Sequence, residues 1–281
     1  RTHLMDAMPI DFAQELSGWK AQLESAKKTL IAATSRMNEL PQGGTAIGTG
    51  INTHKDFSKN FCGEVNKISK LKTKPAKNFF QGLSSVDNAA ELSSALKNLS
   101  TILMKISNDL RWMNSGPLTG LGEIELEAIQ PGSSIMPGKV NPVVPEAVAM
   151  ACADVIGNDV SITVASQSGN FQLNVMLPLV AYNLLKSINL LGNAMPLLSN
   201  KAIKTFKINA KNINESLSKN PILVTALNRK IGYGKAALIA KKAYKENKAI
   251  IDVASEETGI SKTELKKLLD PSKLTKGGLS G

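Results

Sequence analysis

The residues best suited to chemistry lie in one short segment, residues 132–142, with the sequence GSSIMPGKVNP. It contains two adjacent hydroxyl groups on Ser133 and Ser134, a cation at Lys139 and an amide at Asn141. Backbone N–H groups in such a glycine-flanked loop can face an anion, so the segment could hold a carboxylate and stabilise it as it gains negative charge. Glycine and serine are also typical of an ordinary loop between helices, and composition alone does not separate the two interpretations.

Long amphipathic helices are the elements that must position this segment. Apolar residues recur at alternating spacings of four and three, the pattern of a helix packed in a bundle, at Leu92, Leu96, Leu99, Leu103, Ile106, Leu110 and Met113. The pair Gly116-Pro117 is expected to end this helix. A third helix is expected to begin at Val143, and residues 12–40 form a similar pattern with Leu16, Leu23, Ala26, Leu30 and Met37.

Residues 171–198 are the most apolar part of the chain, and by length they could form a membrane span. Polar or helix-breaking residues, which are unfavourable in a bilayer core, interrupt this stretch at Asn174, Pro178, Asn183, Lys186 and Asn189. A buried bundle helix is therefore the preferred interpretation, with its polar side chains bonded to one another between helices.

Connections rich in glycine, serine and proline separate the helical segments at residues 42–53, 115–122 and 130–142. Toward the C-terminus the helical segments shorten and turn residues become frequent. The predicted fold is all-α, a bundle of long helices followed by a small helical domain. The predicted boundaries are residues 1–211 for the central bundle domain and residues 212–281 for the C-terminal domain.

The composition excludes several classes of protein. The chain has 34 basic and 23 acidic residues, but its lysines are dispersed and aromatic residues make up only 4%, unlike modules that bind nucleic acid. Cys62 and Cys152 lie far apart and the chain has two histidines, so neither a disulfide framework nor a metal site is expected. This cysteine usage suits a reducing compartment, and the expected location is the cytoplasm, or the mitochondrial matrix if the source is eukaryotic. The chain opens on RTHL, without Met or a signal sequence, and we expect it to be part of a longer protein.

The segment GSSIMPGKVNP resembles, residue for residue, the signature of the fumarase/aspartase superfamily. Other segments resemble the same family in order and spacing: RTHLMDA at 1–7, GGTAIGTGINTH at 43–54, PEA at 145–147, GND at 157–159, SGNFQLNV at 168–175 and VTALN at 224–228. The resemblance implies a helical-bundle homotetramer with active sites shared between subunits. It also implies elimination chemistry on a small dicarboxylate, without a metal or cofactor. It covers the whole chain but only the later portion of a family member, so the N-terminal domain is expected to be absent.

The resemblance assigns catalytic roles position by position. Ser133 matches the general base that removes the C3 proton of malate, and a serine hydroxyl needs activation by surrounding donors for this role. Ser134, Lys139 and Asn141 match substrate-binding positions. Lys139 and the loop amides are expected to stabilise the aci-carboxylate intermediate that forms after proton removal.

A second set of residues matches the side of the reaction that handles the proton of the water or departing hydroxyl. His3 matches the imidazole, Glu146 matches its carboxylate partner, and Thr2 matches a neighbouring substrate contact. A carboxylate bonded to an imidazole fixes its tautomer and raises its basicity. His54 is interpreted as structural, and Thr45 is expected to shape a loop near the site.

Within the family, His3 and Gly138 favour class II fumarase, which interconverts fumarate and (S)-malate in the tricarboxylic acid cycle, because aspartases commonly have Gln and Ala at these positions. Aspartate ammonia-lyase and a non-catalytic structural relative are the alternatives. The chain departs from the family at Gly234, where an aspartate in IGYDKA is usual and is expected to be a helix N-cap. Because the N-terminal domain normally supplies further substrate contacts, the 281-residue chain alone is expected to be nearly inactive.

Overall fold

The computed structural model describes residues 1–278 of the chain, and it confirms the all-α fold class predicted from the periodicity. The α-helices are α1 (Phe12–Arg36), α2 (Phe57–Ser69), α3 (Phe79–Ser84), α4 (Asp87–Met113), α5 (Val143–Ser166), α6 (Leu177–Leu198), α7 (Ala210–Lys219), α8 (Asn228–Ile231), α9 (Tyr233–Glu246), α10 (Ile250–Thr258), α11 (Lys262–Leu268) and α12 (Pro271–Leu274). Other short elements are a π-helical segment (Ser199–Ile203), a 3-10 helix (Pro221–Leu227) and the two-residue strands β1 (Glu39–Leu40), β2 (Lys74–Pro75), β3 (Ile124–Glu125) and β4 (Lys207–Ile208).

The described chain divides into two compact units. The bundle unit comprises residues 19–115 and 126–206, and it contains the parallel pair of β1 and β2. The terminal unit comprises residues 1–18, 116–125 and the described residues from 207 onward, and it contains the antiparallel pair of β3 and β4. The N-terminal residues of the chain therefore belong to the same unit as the short C-terminal helices.

The core of the bundle unit is formed by α4, α5 and α6, with α5 packed against both of the other helices. All seven apolar residues of the predicted α4 pattern, from Leu92 to Met113, are buried. The Ser93 hydroxyl donates to Asp159 at 2.7 Å, and Ser100 bonds the Cys152 side chain. Ser100 lies seven residues after Ser93 on α4, whereas its partner Cys152 lies seven residues before Asp159 on α5. The two helices therefore run antiparallel.

Helix α1 confirms the predicted helical pattern in residues 12–40, but it is shorter than this segment. It ends at Arg36, and Glu39–Leu40 instead pairs with Lys74–Pro75 as a strand. The buried residues of α1 are Trp19, Ala26 and Ala33, whereas the predicted Leu16, Leu23, Leu30 and Met37 are half-buried. The predicted face of α1 is therefore the buried one, but its most deeply buried residues include Trp19 and Ala33, which the pattern did not contain.

The predicted helix within residues 171–198 begins at Leu177, so Pro178 lies in its first turn, where proline is tolerated. Among the described residues, the helix that is long and apolar enough to cross a membrane is α5 instead. It carries the buried polar residues Asn158 and Asp159. Asp159 is paired with Lys97 of α4 at 2.5 Å, and the Asn158 amide donates to Ser187 of α6 at 3.2 Å. Polar side chains of α5 thus bond to α4 on one side and to α6 on the other, as expected for a core helix of a bundle.

The start of α9 corrects one prediction. The helix begins at Tyr233 and its N-cap is Gly232, which has a φ of 79°. Gly234 therefore lies inside the first turn and is not the N-cap. It is exposed, its φ is not left-handed, and a Cβ built on it meets no atom within 4 Å. A side chain can be added at this position without a clash.

Replacing Gly234 with aspartate is expected to stabilise the terminal unit by about 0.5–1 kcal/mol, because glycine is a poor helix residue and a carboxylate in the first turn interacts favourably with the helix dipole. The free energy of unfolding from urea titrations measures this effect. Gly234→Ala is the matched control, since it changes the helix propensity without adding charge. A variant Gly234→Asp that is no more stable than the parent would contradict the assignment of Gly234 to the first turn.

Candidate active site

A closed loop at residues 132–142 carries most of the predicted chemical groups. The Ser133 N–H donates to the carbonyl of Lys139 at 3.2 Å, and the Lys139 N–H donates to the carbonyl of Met136 at 3.2 Å. Gly132 has a left-handed φ of 88°, and a Cβ at this position would lie 2.2 Å from the Lys139 carbonyl oxygen. Only glycine fits the point where the two arms of the loop meet.

The Ser133 hydroxyl oxygen accepts hydrogen bonds from the backbone N–H groups of Ile135 at 3.2 Å and Met136 at 3.1 Å. Ser133 is half-buried, whereas Ser134 is exposed. Two N–H donors directed at one oxygen favour its deprotonated form, because hydrogen bonds to a charged group stabilise that charge. The sequence predicted that backbone N–H groups of this loop would face a bound anion. In the structure, two of them donate to the Ser133 oxygen. This arrangement lowers the cost of using the hydroxyl as a base.

Lys139 and Asn141 form a polar pair in the same loop. The Lys139 ammonium donates to the Asn141 side-chain oxygen at 2.7 Å. Lys139 is exposed and Asn141 is half-buried. The bond uses one of the three ammonium donors, and the Asn141 amide nitrogen has two donors of its own. The pair can therefore offer a carboxylate several N–H donors and one positive charge.

Glu146 is the acidic residue of the first turn of α5, directly after this loop. Its backbone N–H donates to the carbonyl of Pro142 at 3.2 Å, and the residue is half-buried. The N-terminus of a helix carries a partial positive charge, which stabilises a carboxylate in the first turn. Helix α5 thus places a carboxylate within a few residues of the Lys139–Asn141 pair.

Thr2 and His3 lie in a tight turn at the start of the terminal unit, the RTHL turn. The Thr2 N–H donates to the Met5 carbonyl at 3.1 Å, and the Met5 N–H donates to the Thr2 carbonyl at 2.9 Å. His3 and Leu4 between them have left-handed φ angles of 53° and 60°. His3 is exposed, so its imidazole can exchange protons with solvent or a bound molecule.

The predicted site residues thus form two sets. Hydrogen bonds of the 132–142 loop link Ser133, Lys139 and Asn141, and Glu146 follows the loop in the bundle unit. His3 and Thr2 belong to the terminal unit. The pairing of His3 with Glu146 stays a prediction, as do the individual roles of the site residues.

Two protein-family models match this chain. The family model described as "Lyase" matches residues 1–157, which is more than half of the chain. The chain belongs to this lyase family. A second family model, described as "Fumarase C C-terminus", matches residues 223–276. The resemblance to the fumarase/aspartase superfamily stated from the motifs is confirmed.

Curated relatives of this lyase-family chain match it over almost its whole length. It is 59% identical over 279 residues to fumarate hydratase class II 2 of Pseudomonas aeruginosa, which covers 99% of this chain and 61% of the relative. It is 56% identical over 279 residues to fumarate hydratase class II of Xylella fastidiosa, with coverages of 99% and 59%. The chain therefore spans about 60% of the length of the curated relatives that it matches.

Solved structures of lyase-family members have the same fold. A class II fumarase from Schistosoma mansoni superposes with a TM-score of 0.94 at 34% identity, over 98% of this chain and 60% of that chain. A structure titled fumarate lyase:delta crystallin from Brucella melitensis bound to cobalt gives a TM-score of 0.93 at 39% identity, with the same coverages. The fold of the described residues is thus that of the family.

A glycine-rich loop at residues 43–54 holds His54, one of the two histidines of this lyase chain. Gly48 has a φ of 112°, and a Cβ there would lie 2.6 Å from the Phe80 ring. His54 is exposed, and its Nδ1 accepts a bond from the Asp56 N–H at 3.2 Å. Thr45 has a left-handed φ of 55°. The contacts of His54 are those of a local turn at the start of α2.

Metal and thiol chemistry are not evident in the described part of the chain. Residues 1–278 contain no group of three His, Cys, Asp or Glu side chains that could hold a metal ion. Both cysteines are buried. Burial raises the pKa of the Cys152 thiol to about 11, although its bond to Ser100 acts in the opposite direction. Cys152 is therefore protonated at neutral pH and is not poised as a nucleophile.

Sequence reasoning missed the contact that anchors the RTHL turn. The Arg1 guanidinium forms an ion pair with the Glu123 carboxylate, 122 residues farther along the chain. Sequence reasoning expected donors around the Ser133 hydroxyl but did not identify them as the N–H groups of Ile135 and Met136. Arg1, two residues before His3, suggests that a carboxylate lies nearby, but no spacing in the sequence indicates which carboxylate it is.

Proposed function

We propose that the protein containing this chain is a fumarate hydratase that interconverts fumarate and (S)-malate. The identity of 56–59% to class II fumarate hydratases supports this activity. Because the chain spans about 60% of those relatives, the proposal concerns the full-length product of the gene. The small dicarboxylate is the substrate, and no metal or cofactor takes part.

The first step of malate dehydration removes a proton from C3. Ser133, having first lost its hydroxyl proton to solvent, takes the C3 proton as an alkoxide and becomes a neutral hydroxyl again. The electron pair of the broken C–H bond moves into the adjacent carboxylate to give an aci-carboxylate. The N–H groups of Ile135 and Met136 stabilise negative charge on the Ser133 oxygen beforehand. Lys139 stabilises the added charge on the substrate carboxylate, because a fixed cation acts most strongly where charge develops.

The second step breaks the bond between C2 and the hydroxyl oxygen. His3, with Glu146 as its carboxylate partner, donates the proton that converts the departing hydroxyl to water, and the electron pair returns from the aci-carboxylate to form the double bond. Thr2, Ser134 and Asn141 hold the two carboxylates of the substrate. The helix N-terminus at Glu146 and the exposure of His3 are consistent with these roles.

We further propose that the active protein is a homotetramer whose active sites combine residues of different subunits. The membership of His3 and Ser133 in different units of the chain is compatible with such sharing. Large apolar side chains exposed on the bundle unit support assembly, since a soluble protein rarely leaves many of them in contact with water: Met150, Phe171, Val175, Tyr182 and Leu185.

The observation that carries the proposal is the Ser133 oxygen with its two N–H donors, in a loop that also holds the Lys139–Asn141 pair. The test is the rate of fumarate formation by the full-length product from (S)-malate and from L-aspartate. We expect fumarate from malate alone. Fumarate from aspartate alone would identify an ammonia-lyase, and fumarate from neither would favour a structural relative.

A further inference from the structure

The RTHL turn is held in a conformation that its own residues do not favour. His3 and Leu4 occupy its two central positions with φ angles of 53° and 60°. Two consecutive left-handed residues define a type I′ turn, for which Asn and Gly are the usual residues. For other residues such a conformation costs about 1–3 kcal/mol each, so it persists only when the surroundings enforce it.

One contact that enforces the turn comes from its N-terminal side. The Arg1 guanidinium is paired with the Glu123 carboxylate. The Glu123 side chain is 20% exposed and that of Arg1 is 37% exposed, so water screens this pair only in part. The ion pair fixes the residue directly before Thr2 and His3.

Glu123 is itself held firmly by its backbone. Its carbonyl accepts a hydrogen bond from the Asn209 N–H at 2.8 Å. The residues after it form β3, which pairs with Lys207–Ile208. The Asn212 amide donates to the carbonyl of Gly122, directly before Glu123, at 3.2 Å. These bonds hold the backbone of Glu123 in place, so its carboxylate binds Arg1 at a defined position in the terminal unit.

A second tether acts on the C-terminal side of the turn. The Asn220 amide donates to the Ala7 carbonyl at 2.8 Å. The side-chain oxygen of Asn220 accepts from the Ile222 N–H at 2.9 Å and so caps the 3-10 helix. The RTHL turn thus lies between two fixed points of the terminal unit.

We propose that Glu123 is a positioning residue that, through Arg1, holds His3 in its left-handed conformation for proton transfer. This inference rests on the proposed hydratase function. Without the ion pair, His3 and Leu4 relax toward right-handed or extended backbone, and the direction in which the His3 side chain leaves the backbone changes. A proton-transfer group that is displaced by about 1 Å can lose about a hundredfold in rate.

The test uses Glu123→Gln in the full-length protein, with Glu125→Gln as the matched control. Glu125 lies two residues farther along, at the end of β3, and is exposed. We expect Glu123→Gln to lower kcat for malate about tenfold to a hundredfold and to change KM less than about threefold. Glu125→Gln is expected to have the kinetics of the parent.

Leu4 provides the test that separates positioning from a loss of folding. Leu4→Asn favours the left-handed backbone, so it is expected to restore most of the kcat lost in Glu123→Gln. Leu4→Val disfavours that backbone and is expected to lower kcat with Glu123 intact. A Glu123→Gln variant that matches Glu125→Gln, or a loss of kcat that Leu4→Asn leaves unchanged, would overturn the proposal.

A structural measurement distinguishes failure of this inference from failure of the proposed function. Crystal structures of Glu123→Gln and Glu125→Gln give the φ angles of His3 and Leu4 whether or not malate is a substrate. Loss of the left-handed angles in Glu123→Gln alone supports the role of Glu123. Retention of both angles in Glu123→Gln overturns that role, while an inactive parent protein counts against the hydratase function.

Discussion

Replacing Ser133 with alanine in the full-length protein is expected to lower kcat for malate dehydration about a hundredfold or more, the effect of removing the proposed general base. The hydroxyl that accepts the Ile135 and Met136 N–H bonds is lost, and with it the proposed acceptor of the C3 proton. Because Ser133 is only half-buried and lies in a loop outside the helices, the free energy of unfolding is expected to change by less than about 1 kcal/mol. Steady-state kinetics and urea denaturation measure the two effects.

Ser134→Ala is the matched control for this prediction. Ser134 is adjacent and has the same side chain, but it is exposed and proposed only to bind substrate. Its loss is expected to raise KM more than it lowers kcat. If Ser133→Ala retained near-parental kcat, or if both variants gave the same pattern, Ser133 would not be the base.

Replacing Asp159 with alanine is expected to give the largest loss of stability, about 2–4 kcal/mol. Asp159 is 3% exposed and lies between α4 and α5. Its carboxylate accepts from Lys97 at 2.5 Å and from Ser93 at 2.7 Å. Alanine leaves a buried hydroxyl without its acceptor and an ammonium without its counter-charge. Since Lys97 is 40% exposed and can reach water, the loss stays below that of a fully buried pair.

Asp154→Ala is the control, because Asp154 lies on the same helix and forms an ion pair with Lys186 at 2.9 Å, but its side chain is 42% exposed. Exposed pairs contribute about 0–1 kcal/mol, so Asp154→Ala is expected to be nearly neutral in urea titrations. Equal losses for the two variants would show that burial of Asp159 does not determine its contribution.

The long helices could be predicted because their burial follows a simple period. Leu92 to Met113 follow the pattern of one buried face, and α4 buries each of the seven. In α1 the same period is present, but Trp19 and Ala33 are buried deeper than the leucines. Which residues of a face are deepest depends on the shape of the neighbouring helix, and the period of one segment contains no information about that shape.

The candidate site residues come from the motifs at residues 1–7, 132–142 and 145–147, and their roles stay predictions. The direction of the Ile135 and Met136 N–H groups could not be predicted, because it depends on the φ and ψ angles of a loop closed at Gly132. The ion pair of Arg1 with Glu123 joins residues 122 positions apart. Local sequence patterns indicate which residues carry chemical groups, but contacts between residues far apart in the chain become known only from the three-dimensional structure.

The activity itself is tested most directly by proton NMR of fumarate incubated with the full-length product in D₂O that contains ammonium. Hydration delivers a deuteron to C3 and a deuteroxyl group to C2, whereas an ammonia-lyase run in reverse adds ammonia at C2. We predict malate that carries one deuterium at C3, with no aspartate, and loss of this signal in Ser133→Ala. Formation of aspartate, or unchanged fumarate, would contradict the assignment.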